Sequence, residues 1–367
     1  MLKCMIQRKI QILILRNPFN SLKYLPHYLR KKFNDKYIII ESDDWGMERA
    51  LNQDSVKWME KKFGKERLSR WSYDSLESPE DLNELYDVLK KFRSKFEFPP
   101  VVTANFITHN VDYTSREKLS FIPLSKGFNI ENKELEEKYS EGIKGELIYP
   151  QLHGYSHYNL KALEEYFYTN EGRESFENKF LAARSTVKGN LSFLHGELSI
   201  NNPENGKLIE ASEEFRKYFG FYSKSIIPPT FIFDNELAGI LKESGISLVQ
   251  ASNRLETSED KRMSIPYFRK SKGLYWSIRN ARLDPDENYK FYHDQCVSSI
   301  ENAFKNKVPA IIDFHRVNFA GTYAPEYRTA TIKELNLLLD KIYQRWPGAK
   351  FIHTQKLNDI LWQQETR

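Results

Sequence analysis

Cysteine is almost missing from this 367-residue chain: Cys4 and Cys296 are the two present, and neither lies in a CxxC. That excludes a disulfide scaffold and a zinc site built from thiolates. Long apolar runs are missing as well. The N-terminal one, Ile10 to Leu15, is interrupted by Gln11, and is too short for a signal-peptide core or a bilayer span. Arg16, Asn17 and Pro18 stand where a small-residue cleavage site would follow. The expectation is a mature chain starting at Met1 and located in the cytoplasm. There is no internal repeat and no low-complexity tract, so solenoid and collagen-like chains are excluded.

Acids are missing from residues 1–34, which hold eight of the 55 Lys and Arg. The remainder carries 47 basic against 50 acidic groups, a net of −3. The overall charge of +5 is therefore a basic arm on a mildly acidic body. Such a body argues against nucleic-acid binding. The arm has two readings: peripheral contact with an anionic membrane, or a basic terminal helix docked on the body. The chain divides into a basic N-terminal segment, residues 1–36, and a body, residues 37–367.

What is present is an alternation of strand and helix patterns. Tyr37–Ile40 is a short apolar run, as expected of a strand buried on both faces. Ser78-Pro79-Glu80-Asp81 opens a helix with a cap, a first-turn proline and acids in the first turn. Val101–Ile107, Glu146–His153, Ser223–Ile227, Ile246–Ala251, Leu274–Ile278, Val308–Phe314 and Ala349–His353 read as further strands. Helices are expected over Lys161–Val187 and Glu204–Phe219, and from a capping box at Thr331–Glu334. The polar stretch around residues 110–145 is an insertion. It forms either one wall of a substrate cleft, with Tyr113, Phe121 and Phe128, or an ordinary peripheral excursion. Seven or eight alternating strands predict an α/β fold closed as a (β/α) barrel, with chemistry at the carboxyl ends of the strands.

Three clusters stand at such ends. Asp43 and Asp44 follow the Tyr37–Ile40 run. Two adjacent buried carboxylates need a partner or a metal, and alternation along a strand predicts different roles for them. His153 and His157 are four residues apart and meet one cation if the segment makes a helical turn. With Asp44 they supply one oxygen and two nitrogens, which leaves room for water, as in a catalytic zinc site. His315 ends the Val308–Phe314 strand. Asn105 ends another strand, as a rim residue for substrate or as a turn former.

The order Asp43-Asp44, then His153-Gly154-Tyr155-Ser156-His157, then a strand-end His315 resembles the polysaccharide deacetylase (NodB-homology) superfamily, carbohydrate esterase family four. The resemblance runs from about Tyr37 to Leu361. It implies a distorted (β/α) barrel of about seven parallel strands with long loop insertions, over residues 37–367. It also implies Asp43 as general base, His315 as general acid, and Asp44, His153 and His157 as ligands of a divalent metal, Zn²⁺ by preference. Pro228-Pro229 resembles the third motif of the family, Arg-Pro-Pro-aromatic, with Ile227 in place of the Arg and Thr230 in place of the aromatic. Arg279 or Arg316 is expected to supply the missing charge. Asp284 and Asp286 are candidates for the fourth-motif acid, and no residue is named as orienting His315.

The implied reaction removes an acetyl group from an N-acetylated sugar, with a backbone N–H near Thr230 assisting at the oxyanion. The implied substrate is a glycan intermediate of surface-polysaccharide metabolism. Two alternatives stand beside it: a catalytically silent carbohydrate-binding protein, and a C–N hydrolase acting on a non-sugar amide.

Overall fold

The computed structural model describes residues 31–181, 194–202, 207–286 and 288–363. The basic arm up to residue 30, Cys4 and the end of the helix expected over Lys161–Val187 lie outside the described residues. The last residues of the arm belong to the body: Phe33 is buried in the core and its N–H donates to Lys307 O at 2.9 Å. No described helix is long and apolar enough to cross a membrane.

The chain starts its sheet with β1 (Tyr37–Trp45), then α1 (Gln53–Phe63), α2 (Pro79–Lys91) and β2 (Val102–Phe106). The insertion follows with a hairpin, β3 (His109–Val111) and β4 (Phe121–Pro123), and helix α3 (Lys133–Lys144). Next come β5 (Ile148–Leu152), α4 (Leu160–Phe167), α5 (Asn170–Glu177), α6 (Lys207–Phe219) and β6 (Ser225–Ile226). The second half contains α7 (Ala238–Glu243), β7 (Leu248–Ala251), β8 (Arg269–Ser271), β9 (Leu274–Ile278) and β10 (Ala281–Arg282). It ends with α8 (His293–Lys305), β11 (Ala310–Asp313), α9 (Pro325–Arg345), β12 (Lys350–Phe351) and α10 (Thr354–Gln363).

Ile38, Ile39 and Ile40 have no exposed surface, as a parallel strand covered on both faces requires. Helix α2 begins as its sequence demands. The Ser78 hydroxyl accepts from Asp81 N at 3.1 Å, and the Asp81 carboxylate accepts from Ser78 N at 2.8 Å. Its Leu82 and Leu85 are fully buried, each contributing roughly 2 kcal/mol of apolar burial.

Parallel strands pair in the order β10, β11, β1, β2, β5, β6, β7, β9, with β12 beside β1 and β8 antiparallel at the far side of β9. The two ends of that path are one stretch of chain. Arg279 N donates to Ala251 O of β7 at 3.0 Å, and Asn280 N donates to Ile311 O of β11 at 3.0 Å. The run from Leu274 to Arg282 therefore pairs with β7 by its first half and with β11 by its second. The described residues close into a distorted barrel of seven parallel strands, with α/β crossovers around it.

One expectation is corrected here, and one open alternative is narrowed. The capping box at Thr331–Glu334 opens nothing, because α9 already starts at Pro325, whose fixed φ suits a first helical turn. Thr331 instead sits buried on the inner face of that helix and donates to Asn318 O at 2.7 Å. The insertion around 110–145 is the peripheral excursion rather than a cleft wall. Tyr113 and Phe128 are buried in packing clusters, and α3 lies against α2.

Candidate active site

The carboxyl end of β1 breaks its pleat. Its register against β2 shifts between Ser42 and Trp45, and Asp44 and Gly46 take left-handed backbone conformations with φ of 68° and 70°. Aspartate tolerates that region better than most residues. The bulge changes the face of one acid, so Asp43 and Asp44 both line one cavity instead of pointing to opposite faces.

Asp44 meets the two imidazoles. Its Oδ1 lies 3.1 Å from His157 Nε2 and 3.4 Å from His153 Nε2. All three side chains are buried, and their ligating atoms fall within 4.8 Å of one another. The segment is a loop and not the helical turn expected for the pair: Gly154 has φ 98° and His157 φ 76°. Glu197 shapes it. Its carboxylate accepts from the N–H groups of Tyr155 (2.6 Å), Ser156 (2.9 Å) and His157 (2.6 Å). The His153 ring donates from Nδ1 to Ile227 O at 2.9 Å. That bond leaves the lone pair on Nε2, the atom that faces Asp44.

These residues fit a divalent cation. Asp44 Oδ1 is buried with no hydrogen-bond partner, a costly state for a carboxylate oxygen. Burial opposes its ionisation, yet His157, His153 and Arg49 hold its carboxyl well below the usual range. One carboxylate and two imidazoles form the donor set of an open zinc site.

A second cluster surrounds Asp43. Arg279 grips it with two bonds, Nη1 to Oδ2 at 2.7 Å and Nη2 to Oδ1 at 2.6 Å. The same guanidinium donates to Asp313 Oδ1 at 2.6 Å and to Glu41 Oε2 at 2.9 Å. Burial would raise the Asp43 carboxyl, but Arg279 and His315 bring it down to about 2. Asn105 donates to Asp43 Oδ1 at 2.8 Å. It is fully buried and also bonded to Gln250, so it supports Asp43 from below and is not a rim residue.

His315 completes the cluster. Its Nε2 is 3.5 Å from Asp43 Oδ2, and its Nδ1 is 2.5 Å from Asp284 Oδ2. Burial would depress the imidazole, but Asp284, Asp313 and Asp43 raise it to about 9. Those carboxylates favour the protonated His315 ring, with Asp284 orienting it through Nδ1. Asp286, the other acid considered, hydrogen-bonds Lys290 N and Tyr292 instead.

The two clusters share a cavity of about 330 Å³ lined also by Arg49, Trp71, Thr230, Phe231 and Arg254. Trp71 meets the His315 ring edge-on, with centroids 5.2 Å apart. Thr230 lines the cavity from a left-handed conformation, φ 56°. Arg316 does not line it. Its guanidinium is fully buried and donates to Asp74 Oδ1, Glu77 Oε2 and Met47 O, each at 2.8 Å. The strand ends at Asp313, His315 is still extended, and Arg316 begins a short 3₁₀ turn, Arg316–Asn318, where the two side chains part. Of the two arginines expected to supply the missing third-motif charge, Arg279 stands beside the acid and Arg316 stands away from it.

Sequence reasoning missed Glu41, Arg49, Trp71, Glu197 and Arg254, and set Asp313 aside. Glu41 and Asp313 carried a signal, since each is an acid inside an apolar strand. Glu197 and Arg254 carried none, because they reach the site from loops.

Comparison with known proteins adds a family context. The model of glycosyl hydrolase family 57 matches residues 206–329. A search of curated proteins finds no match. Among solved structures, the chain is similar to a protein described as a "putative polysaccharide deacetylase" from Mycobacterium smegmatis, with 10% identity and a TM-score of 0.46 over 91% of this chain and 94% of that one. It is also similar to the peptidoglycan deacetylase PdaC from Bacillus subtilis, with 12% identity and a TM-score of 0.37 over 90% and 94%. A third is the 4-alpha-glucanotransferase from Thermococcus litoralis, with 11% identity and a TM-score of 0.44 over 89% of this chain. This chain spans about 40% of the length of that enzyme. These likenesses concern the fold alone.

Proposed function

We propose that this protein is a metal-dependent hydrolase that removes the acetyl group from an N-acetylated sugar of a polysaccharide or glycan intermediate. The observation that carries the reading is the unpartnered, buried Asp44 Oδ1 between two imidazole nitrogens, one residue from a carboxylate gripped by Arg279. Asp44, His153 and His157 would hold the cation, Zn²⁺ by its donor preferences. The chemistry it would supply there is Lewis acidity toward a carbonyl oxygen and toward water.

The protein's own groups divide the proton traffic. Asp43 is ionised throughout the physiological range and accepts a proton from the attacking water. His315 Nε2 carries a proton near neutral pH and delivers it to the departing sugar nitrogen. Asp284 fixes the His315 tautomer through Nδ1, and Arg279 keeps Asp43 from taking the imidazolium proton prematurely. Trp71 and Phe231 flank the cavity and supply aromatic carbon to its wall, with the Arg254 guanidinium 4.5 Å from the Phe231 ring centroid. Thr230 belongs to the cavity wall on the same side as Phe231, as a substrate contact.

The test is metal content of the purified protein together with acetate release from a panel of N-acetylated oligosaccharides. Metal-bound protein that releases acetate and free amine supports the reading. A protein that binds no divalent cation, or that binds glycans without releasing acetate, defeats it. The second outcome would identify a silent binding protein. Acetate from small cyclic or linear amides alone would point to a non-sugar amide.

A glycosidase reading has one observation in its favour, the family 57 match over residues 206–329, which includes Thr230, Arg279, Asp284 and His315. It gives no role to Asp44, His153 and His157, which lie outside that span. Release of reducing ends in place of acetate would establish it.

The cytoplasmic location expected from the sequence is part of the same proposal, with the membrane contact chosen from the two readings of the arm. Residues 1–30 would seat the enzyme on anionic lipid, beside lipid-linked sugars. Their removal should abolish co-sedimentation with anionic vesicles and leave turnover of a soluble substrate intact.

A further inference from the structure

Arg49 is a buried arginine in the loop after β1. Its backbone is pinned: Arg49 O accepts from Leu181 N at 3.1 Å and from Tyr113 OH at 3.1 Å. Its side chain is pinned as well. Nε donates to Asp74 Oδ2 at 2.8 Å, and Nη1 donates to Tyr158 OH at 3.2 Å. Nη2 is different. The carboxylate it faces, Asp44 Oδ1, is 3.7 Å away, beyond hydrogen-bond reach. The guanidinium lines the cavity together with Asp43, Asp44, His153, His157 and His315. A purely structural ion pair would close that gap, as Arg49 does with Asp74. Instead, one fixed cationic group, Nη2, is left without such a bond on the Asp44 side of the cavity, while the proton-carrying His315 belongs to the Asp43 cluster.

We propose that Arg49 is a catalytic residue whose Nη2 hydrogen-bonds the acyl oxygen as negative charge forms on it. The inference rests on the hydrolase reading above and adds to it the residue that receives the oxyanion. In the step concerned, the water oxygen forms a bond to the acyl carbon and Asp43 takes one water proton. The carbonyl π pair moves onto the acyl oxygen, where Arg49 stabilises it without giving up a proton. That pair then re-forms the carbonyl as the C–N bond breaks. The nitrogen takes its proton from His315 Nε2, and acetic acid and the free amine leave. A donor held in place before the reaction needs no reorganisation as the charge appears, which is where such groups act most strongly.

The test uses the full-length, zinc-loaded protein with Arg49→Gln and Arg49→Lys. Three quantities are read: kcat and KM for acetate release, zinc affinity by titration calorimetry against a chelator, and affinity for methylphosphonate, a tetrahedral anion. Arg49→Gln should lower kcat by roughly 100-fold with little change in KM, and weaken methylphosphonate by about tenfold or more. Zinc affinity should hold or rise, because the lost positive charge stood beside a cation ligand. Arg49→Lys keeps the charge against Asp74 but loses the fork, and should show the same pattern if Arg49→Gln does not fold. Loss of zinc from the variants, or unchanged kcat and methylphosphonate affinity, overturns the proposal. Wild-type protein that fails to bind methylphosphonate also overturns it. A wild type that releases no acetate from any glycan, yet binds methylphosphonate through Arg49, removes the deacetylase reading and keeps the oxyanion role.

Discussion

His315 Nδ1 and Asp284 Oδ2 lie 2.5 Å apart in a buried pair that settles which ring nitrogen faces the cavity. Asp284 also accepts from His315 N at 2.8 Å and from Asn318 Nδ2 at 2.6 Å. The carboxylate is therefore fixed before it fixes the imidazole, and a short charge-assisted bond is the result.

Asp284→Asn should bring the His315 titration down from about 9 toward its ordinary value. The alkaline limb of the pH–rate profile should move to lower pH by roughly one unit or more, with kcat at pH 8 reduced about 10- to 100-fold. Metal content should not change. A profile that superimposes on that of the wild type would remove Asp284 from the orienting role.

The same pair makes stability depend on pH. His315 titrates near 9 in the folded protein, against 6.5 for an ordinary histidine. Its contribution is fully present below pH 6.5 and is lost as pH rises through 9. The window covers roughly 3 kcal/mol at most. Urea midpoints at pH 6, 7.5 and 9.5 should fall more steeply for wild type than for His315→Gln. Parallel slopes would show that the imidazolium is not bound more tightly in the folded state.

Metal retention should separate the two adjacent acids. Asp44→Asn and His157→Ala should lose at least about tenfold in divalent-cation affinity and lose the thermal shift that added metal produces. Asp43→Asn should keep the metal and lose activity by roughly 100-fold or more. If Asp43→Asn loses metal as fully as Asp44→Asn, the two acids act as one site.

Gly154 is required by geometry. Its φ is 98°, and a Cβ there would overlap the Glu197 carboxylate that holds the His153–His157 loop. Gly154→Ala should cost about 2 kcal/mol or more in stability and weaken metal binding with it. Denaturant unfolding and metal titration on the same variant check both effects. Glu197→Ala should weaken metal binding as well, by freeing three N–H groups.

Arg316 should prove structural. Arg316→Met leaves Asp74 and Glu77 buried without their shared cation, at a cost of about 3–5 kcal/mol. Unfolding midpoints read it directly. Where the variant is expressed at low temperature, its KM for a glycan substrate should match that of the wild type.

Strands ending in chemistry were legible because apolar runs broken by Asp or His are distinct in sequence. Leu274–Ile278 holds to the residue, and Val101–Ile107 and Val308–Phe314 hold with trimmed ends. The start of helix α9 was misplaced by seven residues, with Thr331 expected as the cap and Ala324 found there, because a Thr-x-x-Glu pattern also occurs inside helices, where only packing tells a buried Thr from a cap. Alternation along a strand places Asp43 and Asp44 on opposite faces, whereas the structure brings both to one cavity. The difference is a bulge, and no composition rule marks it.

The sequence by itself determined the donor types and their order: an acid pair, two histidines four apart and a late histidine, each behind an apolar strand. Those are local facts of side-chain chemistry and hydrophobic pattern. Tertiary structure alone decided the partners. Arg279 reaches Asp43 across 236 positions because its backbone sits where one run leaves β7 and joins β11, at the seam that closes the barrel. A contact made by closure has no counterpart in local propensity, so only the folded chain could choose Arg279 over Arg316.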